Sequence, residues 1–185
     1  MAKKRQKQGG MVDPAKLGAV DKHDDKLLVV IIETPKGSRN KYAYDVKERI
    51  FELKKVLPAG MAFPYDFGFV PSTIGGDGDP LDVLVLMDEP AFTGCKLKCR
   101  VIGIIEGEQS EGGKKERNDR LIAVERDNHS YARIKHFKDL GDRFCKELEE
   151  FFVNYHQLDG KTFKVSAVKG PAAGWRAVKK ARSRV

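Results

Sequence analysis

The sequence predicts a mainly β protein of the α+β class, in which short strands form a small twisted barrel and two helices pack on it. Several β-branched or alternating apolar segments in the first two thirds of the chain are typical of strands. A helical period of apolar residues appears only late, over residues 138–158, and a short second helix follows. The hydrophobic fraction of 41% over 185 residues is enough for a core without disulfide or metal support.

The predicted elements follow the chain in order. Residues 1–25 are polar and predict a flexible arm, whereas residues 26–185 predict a single domain with a basic C-terminal end. The apolar run from Lys26 to Glu33 (KLLVVIIE) indicates a well-buried strand, and a turn over residues 34–40 follows it. Further strands are expected at 41–45, 49–53, 81–87, 97–105, 120–125 and 162–168.

Four other stretches complete the predicted order. Residues 56–73 are rich in proline, glycine and aromatic rings, which favours an ordered and packed loop. Residues 106–117 are glycine-rich and charged, so we expect an exposed loop. Residues 138–158 predict the long helix, and residues 171–181 the short one, with Pro171 in its first turn.

The net charge of +8 raises the question of a nucleic-acid partner. Nine of the cations lie in residues 1–10 and 170–185, which contain no acidic residue, and without them the rest of the chain has a charge of −1. Short basic ends are usually solvated tails. We therefore expect no specific nucleic-acid partner.

The cysteines point to a reducing compartment. Cys95, Cys99 and Cys145 are an odd number, and the basic start of the chain is not followed by the apolar stretch of a signal peptide. No apolar run approaches the roughly 20 residues of a membrane helix. We therefore expect free thiols, a cytoplasmic location and no membrane partner.

The strongest chemical signal is three carboxylates within six residues, Asp77, Asp79 and Asp82. Such like charges repel one another unless a cation joins them, and Mg²⁺ prefers hard oxygen ligands. Gly78 permits a bend and Pro80 keeps Asp79 extended, so the three side chains can converge. The pattern predicts a magnesium site, with an exposed acidic turn before a strand as the alternative.

Two better-known motifs are excluded at this segment. A calcium-binding EF-hand loop requires glycine at its sixth position, where this sequence has Asp82. A Walker phosphate loop requires Gly-Lys-Ser/Thr, which does not follow Gly75 and Gly76.

The segment from Gly76 to Val85 (GDGDPLDVLV) resembles the signature of the soluble family I inorganic pyrophosphatases. The similarity extends to residues 30–35 and 40–42, to the aromatic segment 61–71 and to residues 151–155, and covers about residues 26–168 in all. The resemblance implies an OB-like five-stranded barrel that forms a homo-oligomer. It also implies hydrolysis of the substrate pyrophosphate to two orthophosphates, with Mg²⁺ as the cofactor.

The resemblance further implies roles for individual residues. Asp77 and Asp82 would hold the magnesium ions, with Glu33 and Asn118 as further metal ligands, and Asp79 would accept a proton from the attacking water. Phosphate oxygens would be bound by four side chains, Lys41, Lys55, Arg120 and Tyr155.

The sequence also departs from the family pattern. Ala43 stands where a second glutamate is usual, and Lys55 replaces an arginine, which keeps the charge but loses the bidentate fork. The other departures are Phe63 and Phe67 for tyrosine, Gln109 and Asn118 for aspartate, Arg120 for lysine, and His156 for lysine. A missing carboxylate could come from Glu108, Glu111 or Asp119.

These departures leave alternatives open. The chain could retain the pyrophosphatase reaction, or act as a related phosphohydrolase on another phosphorylated substrate. It could also be a non-catalytic OB-type module that binds anions or nucleic acid, because a fold alone does not fix a function.

Overall fold

The computed structural model describes residues 12–184, so residues 1–11 of the predicted arm and Val185 lie outside the described residues. Two single turns of 3₁₀ helix occur, at Pro14–Lys16 and Phe137–Leu140. The two α-helices are α1 (Asp142–Gln157) and α2 (Pro171–Arg182). The strands are β1 (Leu28–Thr34), β2 (Asn40–Asp45), β3 (Ile50–Val56), β4 (Asp66–Phe69), β5 (Asp82–Leu86), β6 (Lys96–Glu111), β7 (Lys114–Arg117), β8 (Arg120–Glu125) and β9 (Thr162–Lys169).

Five strands close into a barrel. β1 pairs with β4, β4 with β5, β5 with β8, β8 with β6, and β6 returns to β1. Only the β5–β8 pair in this ring is parallel. β7 and β9 extend the sheet from the long strand β6, and β2 and β3 form a separate hairpin. This architecture confirms the predicted mainly β, OB-like five-stranded barrel with a long and a short helix.

Alternate residues of the barrel strands enter two hydrophobic clusters, because successive side chains of a strand point to opposite faces. Val83 belongs to the cluster that Val178 of α2 completes, which we call the α2 cluster. Leu84 belongs to the cluster that Phe152 and Tyr155 of α1 complete, the α1 cluster. Neither α-helix has the length and apolar character of a membrane-spanning helix.

The aromatic stretch at 56–73 is not loop throughout, because it contains β4. Its four residues are buried and pair with both β1 and β5. Gly68 allows this close approach, since a Cβ atom there would stand 2.0 Å from the carbonyl oxygen of Ile31. The prediction of a packed stretch is confirmed, whereas the prediction of a loop is wrong at these four residues.

The predicted exposed loop at 106–117 is wrong, because β6 continues to Glu111 and β7 returns beside it. Gly112 and Gly113, both with positive φ (56° and 84°), make the turn. The charged side chains pair across the two strands, as in the 2.8 Å contact between Lys115 Nζ and Glu108 Oε1. The run of charge therefore belongs to a hairpin.

The two remaining differences concern the ends of elements. The predicted helix at 138–158 begins as the 3₁₀ turn, and the α-helix starts only after Gly141. In the described part of the predicted arm, residues 12–25, Ala19 is buried and its carbonyl accepts from Val29 N at 2.9 Å. Asp21 also forms an ion pair with Lys98. This part of the arm thus lies against the barrel, and the domain boundary stays a prediction.

Candidate active site

The candidate site lies where strands β5 and β8 start side by side. Their parallel register places Asp82 opposite Arg120. Asp82 is an even number of positions from Leu84, so its side chain points to the face of the α1 cluster. The Nη2 atom of Arg120 lies 3.8 Å from Oδ2 of Asp82. A carboxylate and a guanidinium group therefore meet at this edge of the barrel.

The three aspartates are gathered by a tight loop ahead of β5. Gly75 N donates to the carbonyl oxygen of Asp79 (2.6 Å), and Asp79 N donates to Oδ1 of Asp77 (3.2 Å). Gly78 has a φ of 93°, which side-chain-bearing residues rarely adopt, and provides the expected bend. Asp77, Asp79 and Asp82 consequently line one cavity of about 350 Å³, the first cavity.

Burial raises the pKa values of two of these carboxyl groups, Asp77 and Asp82. Burial, followed by the charge of Asp82, raises the pKa of Asp77 to about 6. Burial also raises the pKa of Asp82, although Arg120 and Lys41 act in the opposite direction. A cation bound between these groups would favour their ionised forms.

Glu33 adds a fourth carboxylate from the end of β1. It is 8% exposed, and its Oε1 accepts from Tyr44 N at 2.8 Å. Burial raises the pKa of Glu33 to about 7 even though this hydrogen bond acts the other way. Glu33 lines a second cavity of about 410 Å³, which adjoins the first because Lys41, Asp79 and Asp82 line both.

Two lysines face each other across the β2–β3 hairpin. The register pairs Lys41 with Lys55, and their Nζ atoms lie 5.6 and 3.8 Å from the centre of the Tyr155 ring. Burial lowers the pKa of Lys41, but Tyr155 and Asp82 outweigh it, so that pKa is raised. Like charges directly opposite destabilise a hairpin, which indicates a place for an anion. Lys55 Nζ meanwhile contacts Oδ2 of Asp159 at 2.6 Å.

Arg120 is held rigidly within the α1 cluster. It is 3% exposed, and its guanidinium carbon lies 4.5 and 4.6 Å from the ring centres of Phe152 and Phe163. A desolvated cation between two rings gains about 2 kcal/mol or more. Its Nη1 donates to the carbonyl oxygen of Asn118 at 3.1 Å. The charge of Arg120 is thus fixed in position at the cavity wall.

His156 is the other partner of this guanidinium. Its Nε2 lies 3.1 Å from Nη2 of Arg120, and its Nδ1 lies 2.7 Å from the carbonyl oxygen of Phe152. Arginine can only donate and a carbonyl can only accept, so the ring is the neutral Nδ1–H tautomer. Burial, followed by the charge of Arg120, lowers the pKa of His156 to about 4. His156 therefore accepts a hydrogen bond from Arg120 as a neutral ring and adds no second positive charge beside it.

The sequence missed two carboxylates that line the first cavity, Asp159 after α1 and Glu116 on β7. Glu116 is the one beside Asn118. It lies opposite Gln109 in the β6–β7 register. Gln109 Oε1 accepts from Nδ2 of Asn118 at 2.8 Å, which leaves the amide oxygen of Asn118 for a cation. Glu116 could have been found once the hairpin was recognised, because a two-residue turn at Gly112 and Gly113 fixes this pairing.

The carboxylates offered by the sequence as substitutes are engaged elsewhere. Asp119 accepts from Arg117 Nε at 2.6 Å and does not line the first or second cavity. Glu108 and Glu111 form their ion pairs at 2.8 Å with Lys115 and Lys161 respectively.

The structure brings together most of the predicted site residues. Lys55 contacts Tyr155 and Asp159 but is not a lining residue of the two cavities. The other eight line them, namely Glu33, Lys41, Asp77, Asp79, Asp82, Asn118, Arg120 and Tyr155.

The acidic side of the first cavity suits a hard divalent cation. Its donors are all oxygens, and such a cation would oppose both the burial and the charge of Asp82 that raise the pKa of Asp77. Within residues 12–184, no three His, Cys, Asp or Glu side chains already stand close enough to form a metal centre.

Acidic oxygens on one side of a cavity and fixed cations on the other define a protein that handles phosphate groups with metal ions. The family model for inorganic pyrophosphatase matches residues 30–185. The chain therefore belongs to the inorganic pyrophosphatase family, whose members are metal-dependent hydrolases. This finding confirms the predicted family and class of enzyme.

Similar proteins agree with this assignment over nearly the whole chain. An inorganic pyrophosphatase of Synechocystis sp. is 38% identical over 152 residues, which are 82% of this chain and 83% of that protein. One of Geobacillus stearothermophilus is 35% identical over 81% of this chain and 88% of that protein. The crystal structure of the inorganic pyrophosphatase of Thermus thermophilus matches with a TM-score of 0.85 and 31% identity, and covers 94% of this chain and 98% of that one.

Proposed function

We propose that this chain hydrolyses pyrophosphate to two orthophosphates in a reaction that depends on Mg²⁺. The observation that carries the proposal is the arrangement of one cavity, where Asp77, Asp79 and Asp82 share the lining with Lys41 and Arg120. Carboxylates alone would repel a polyanion, and cations alone would bind it without activating water. Both together suit phosphoryl transfer to water.

Asp77 and Asp82 would hold the metal, with Glu33 on the side of the second cavity. Asn118 would offer a neutral oxygen. Glu116 would restore a charge beside it by exchanging its present partner, Lys114, whose Nζ lies 2.6 Å from Oε1 of Glu116. Bound Mg²⁺ would lower the pKa of a water molecule and neutralise charge on the transferring phosphoryl group.

Asp79 would accept the proton of the attacking water. It is exposed on the loop and lines both cavities. Within residues 12–184, no hydrogen bond or ion pair engages the carboxylate of Asp79. Asp79 therefore keeps acceptor capacity for a proton, whereas Asp77 and Asp82 would use theirs to bind metal.

The phosphate oxygens would be bound by Lys41, Arg120 and Tyr155, with Lys55 beside them. Arg120 is fixed between two rings, so it would stabilise developing charge without first reorganising. Lys55 would exchange Asp159 for a phosphate oxygen, because its present partner is a carboxylate at the edge of the same cavity.

The experiment is orthophosphate release by the purified chain, with Mg²⁺ and with EDTA, from pyrophosphate and from a panel of nucleotides and sugar phosphates. We expect fast, metal-dependent release from pyrophosphate alone. Turnover of another phosphate instead would favour the related phosphohydrolase. No turnover together with binding of an oligonucleotide would favour the OB-type module.

We also propose a homo-oligomer in the cytoplasm. Its support is the apolar surface of the β2–β3 hairpin, where Ile50, Leu53 and Val56 are more than half exposed (56%, 52% and 55%). Sedimentation velocity would test it, and a monomer at micromolar concentration would overturn the oligomer.

A further inference from the structure

A third cavity, of about 240 Å³, lies between α2 and the first part of the loop ahead of β5 that carries Asp77 and Asp79, which we call the acidic loop. Ile74, Gly75 and Gly76 line it, whereas Asp77 and Asp79 of the same loop line the first cavity. The third cavity shares no lining residue with the first or the second. It is therefore a separate space that reaches the same loop.

Positive charge dominates this cavity. Its two carboxylates are already paired, since Glu106 contacts Arg117 and Lys169, and Asp119 contacts Arg117. Three further cations also line it: Arg176 from the middle of α2, Lys180 from its last turn and Arg184 just after it. Within residues 12–184, no carboxylate forms an ion pair with these three. The cavity therefore holds an excess of positive charge that no side chain neutralises.

The spacing of these cations directs them into the cavity. Arg176, Lys180 and Arg184 recur every four positions and so share one side of the helix and its extension. Lys179 and Arg182 do not line the cavity. The converging cations surround a concave space and do not form an extended stripe, which favours a small polyanion over a nucleic acid.

The C-terminal end of α2 and the residues after it are hydrogen-bonded to the acidic loop. Arg184 Nη1 donates to the carbonyl oxygen of Gly75 at 2.7 Å, and Ile74 N donates to that of Ala181 at 3.1 Å. Gly75 N in turn donates to the carbonyl oxygen of Asp79. An anion that draws the Arg184 guanidinium toward it would therefore act on the loop that carries the aspartates.

We propose that this third cavity is a second oxyanion site, for orthophosphate or a diphosphate, whose occupant changes the metal affinity of the acidic loop through Arg184. The effect on metal affinity rests on the proposed function, whereas the binding of the anion does not.

Binding is tested by calorimetric titration of the full chain, in EDTA, with orthophosphate and separately with methylenediphosphonate. The key variant is Arg176→Gln with Lys180→Gln, and the matched control is Lys179→Gln with Arg182→Gln, which removes the same charge from the same helix. We expect the key variant alone to weaken binding of at least one probe at least about tenfold, because charge-assisted hydrogen bonds are lost. The stronger probe identifies the occupant. Equal binding in the two variants would overturn the site.

Trp175, the only tryptophan of the chain, gives a readout that does not need activity. It precedes Arg176 on α2 and packs against the α2 cluster. We expect a saturable change in its fluorescence with either probe in the wild type and the control, and no change in the key variant. A DNA duplex that binds more tightly than both probes at the same ionic strength would overturn the proposal in favour of nucleic acid.

The coupling is tested by measuring the Mg²⁺ affinity of the wild type and Arg184→Gln, with and without the bound probe. We expect the probe to shift the Mg²⁺ affinity of the wild type at least about threefold. Arg184→Gln should abolish this shift, because Arg184 is the side chain that links the third cavity to the acidic loop. An equal shift in both proteins would overturn the role of Arg184.

Discussion

Arg120 and His156 form one unit, in which Nη2 of the arginine lies 3.1 Å from Nε2 of the histidine. The family resemblance implies a lysine at both positions, whereas this chain has one fixed cation and one neutral acceptor. The pair thus places a single positive charge beside the carboxylate of Asp82. A second buried cation there would repel Arg120.

The first prediction concerns this pair. His156→Lys should lower kcat at least about tenfold and reduce the free energy of unfolding by about 1–3 kcal/mol, because it removes an acceptor and buries a second cation beside Arg120. His156→Gln keeps an acceptor and should cost less in both. Steady-state kinetics and urea unfolding measure the two effects, and equal values for the two variants would contradict the pairing.

The second prediction is that Asp79→Asn lowers kcat at least about 100-fold while Mg²⁺ binding stays largely intact, because the amide cannot accept the proton of water. Calorimetry of Mg²⁺ binding and kinetics at saturating Mg²⁺ separate the two. Asp77→Asn should instead weaken Mg²⁺ binding. Full activity in Asp79→Asn would rule out the assigned base.

The third prediction concerns Glu116, the missed carboxylate that lies beside Asn118. Glu116→Gln should raise the Mg²⁺ concentration for half-maximal activity roughly tenfold, as expected for a group that supports metal ligands. Glu108→Gln is the matched control, since Glu108 lies on the same hairpin and pairs with Lys115 away from the cavity. If both variants shift the requirement equally, the effect belongs to the hairpin and not to the site.

The fourth prediction is that Ala43→Glu changes the magnesium dependence of activity, because Ala43 lines the second cavity with Glu33, Asp79 and Asp82. A carboxylate added there should lower the Mg²⁺ concentration for half-maximal activity, by about threefold or more. Ala59→Glu makes the same exchange at an exposed position after the hairpin that lines neither cavity, and it should leave the magnesium dependence unchanged. An unchanged profile for Ala43→Glu would mean that the added carboxylate does not reach the metal.

The fifth prediction concerns pH. Glu33 keeps its proton to about pH 7 in the folded chain but loses it near the ordinary value of 4.5 when unfolded, so between these values the folded state binds more protons. Its contribution to the free energy of unfolding therefore falls as the pH rises through this window, by roughly 3 kcal/mol in all without metal.

The measurement is urea unfolding in EDTA from pH 4.5 to 7.5, as the difference between the wild type and Glu33→Gln. That difference is needed because His156, whose pKa is lowered, contributes stability that rises with pH over the lower part of the range. Added Mg²⁺ should remove most of the fall above pH 6, because it binds the ionised folded state. A flat difference would contradict the burial of an ionisable Glu33.

The barrel was predictable because the strands that build it are β-branched and continuous, as β1, β5 and β8 are. The strand β4 was not predictable, because its pairing with β1 depends on a close approach between Gly68 and Ile31, two residues that are far apart in the sequence. The β6–β7 hairpin was hidden by its charges, which resemble those of a loop until their partners across the strands are known.

The candidate site was predictable where one short segment carries it, as with Asp77, Asp79 and Asp82. Glu116 was not predictable, because only the register of the hairpin brings it to the cavity. The substitution of tyrosine by Phe63 is explained only by the fold, where its ring is buried 5.6 Å from that of Tyr155 and a hydroxyl would need a partner.

The closed barrel determines where this sheet could join another chain. Strands of the ring have neighbours on both sides, whereas within residues 12–184 β9 and β7 each pair with β6 alone and leave one side as a free edge. The edge of β7 is the more highly charged of the two. That edge consists of four charged residues, Lys114, Lys115, Glu116 and Arg117. Charged side chains on an edge strand oppose the pairing of one sheet with the next and so protect a protein from aggregation. The hairpin that brings Glu116 to the cavity thus also keeps neighbouring molecules from stacking sheet to sheet.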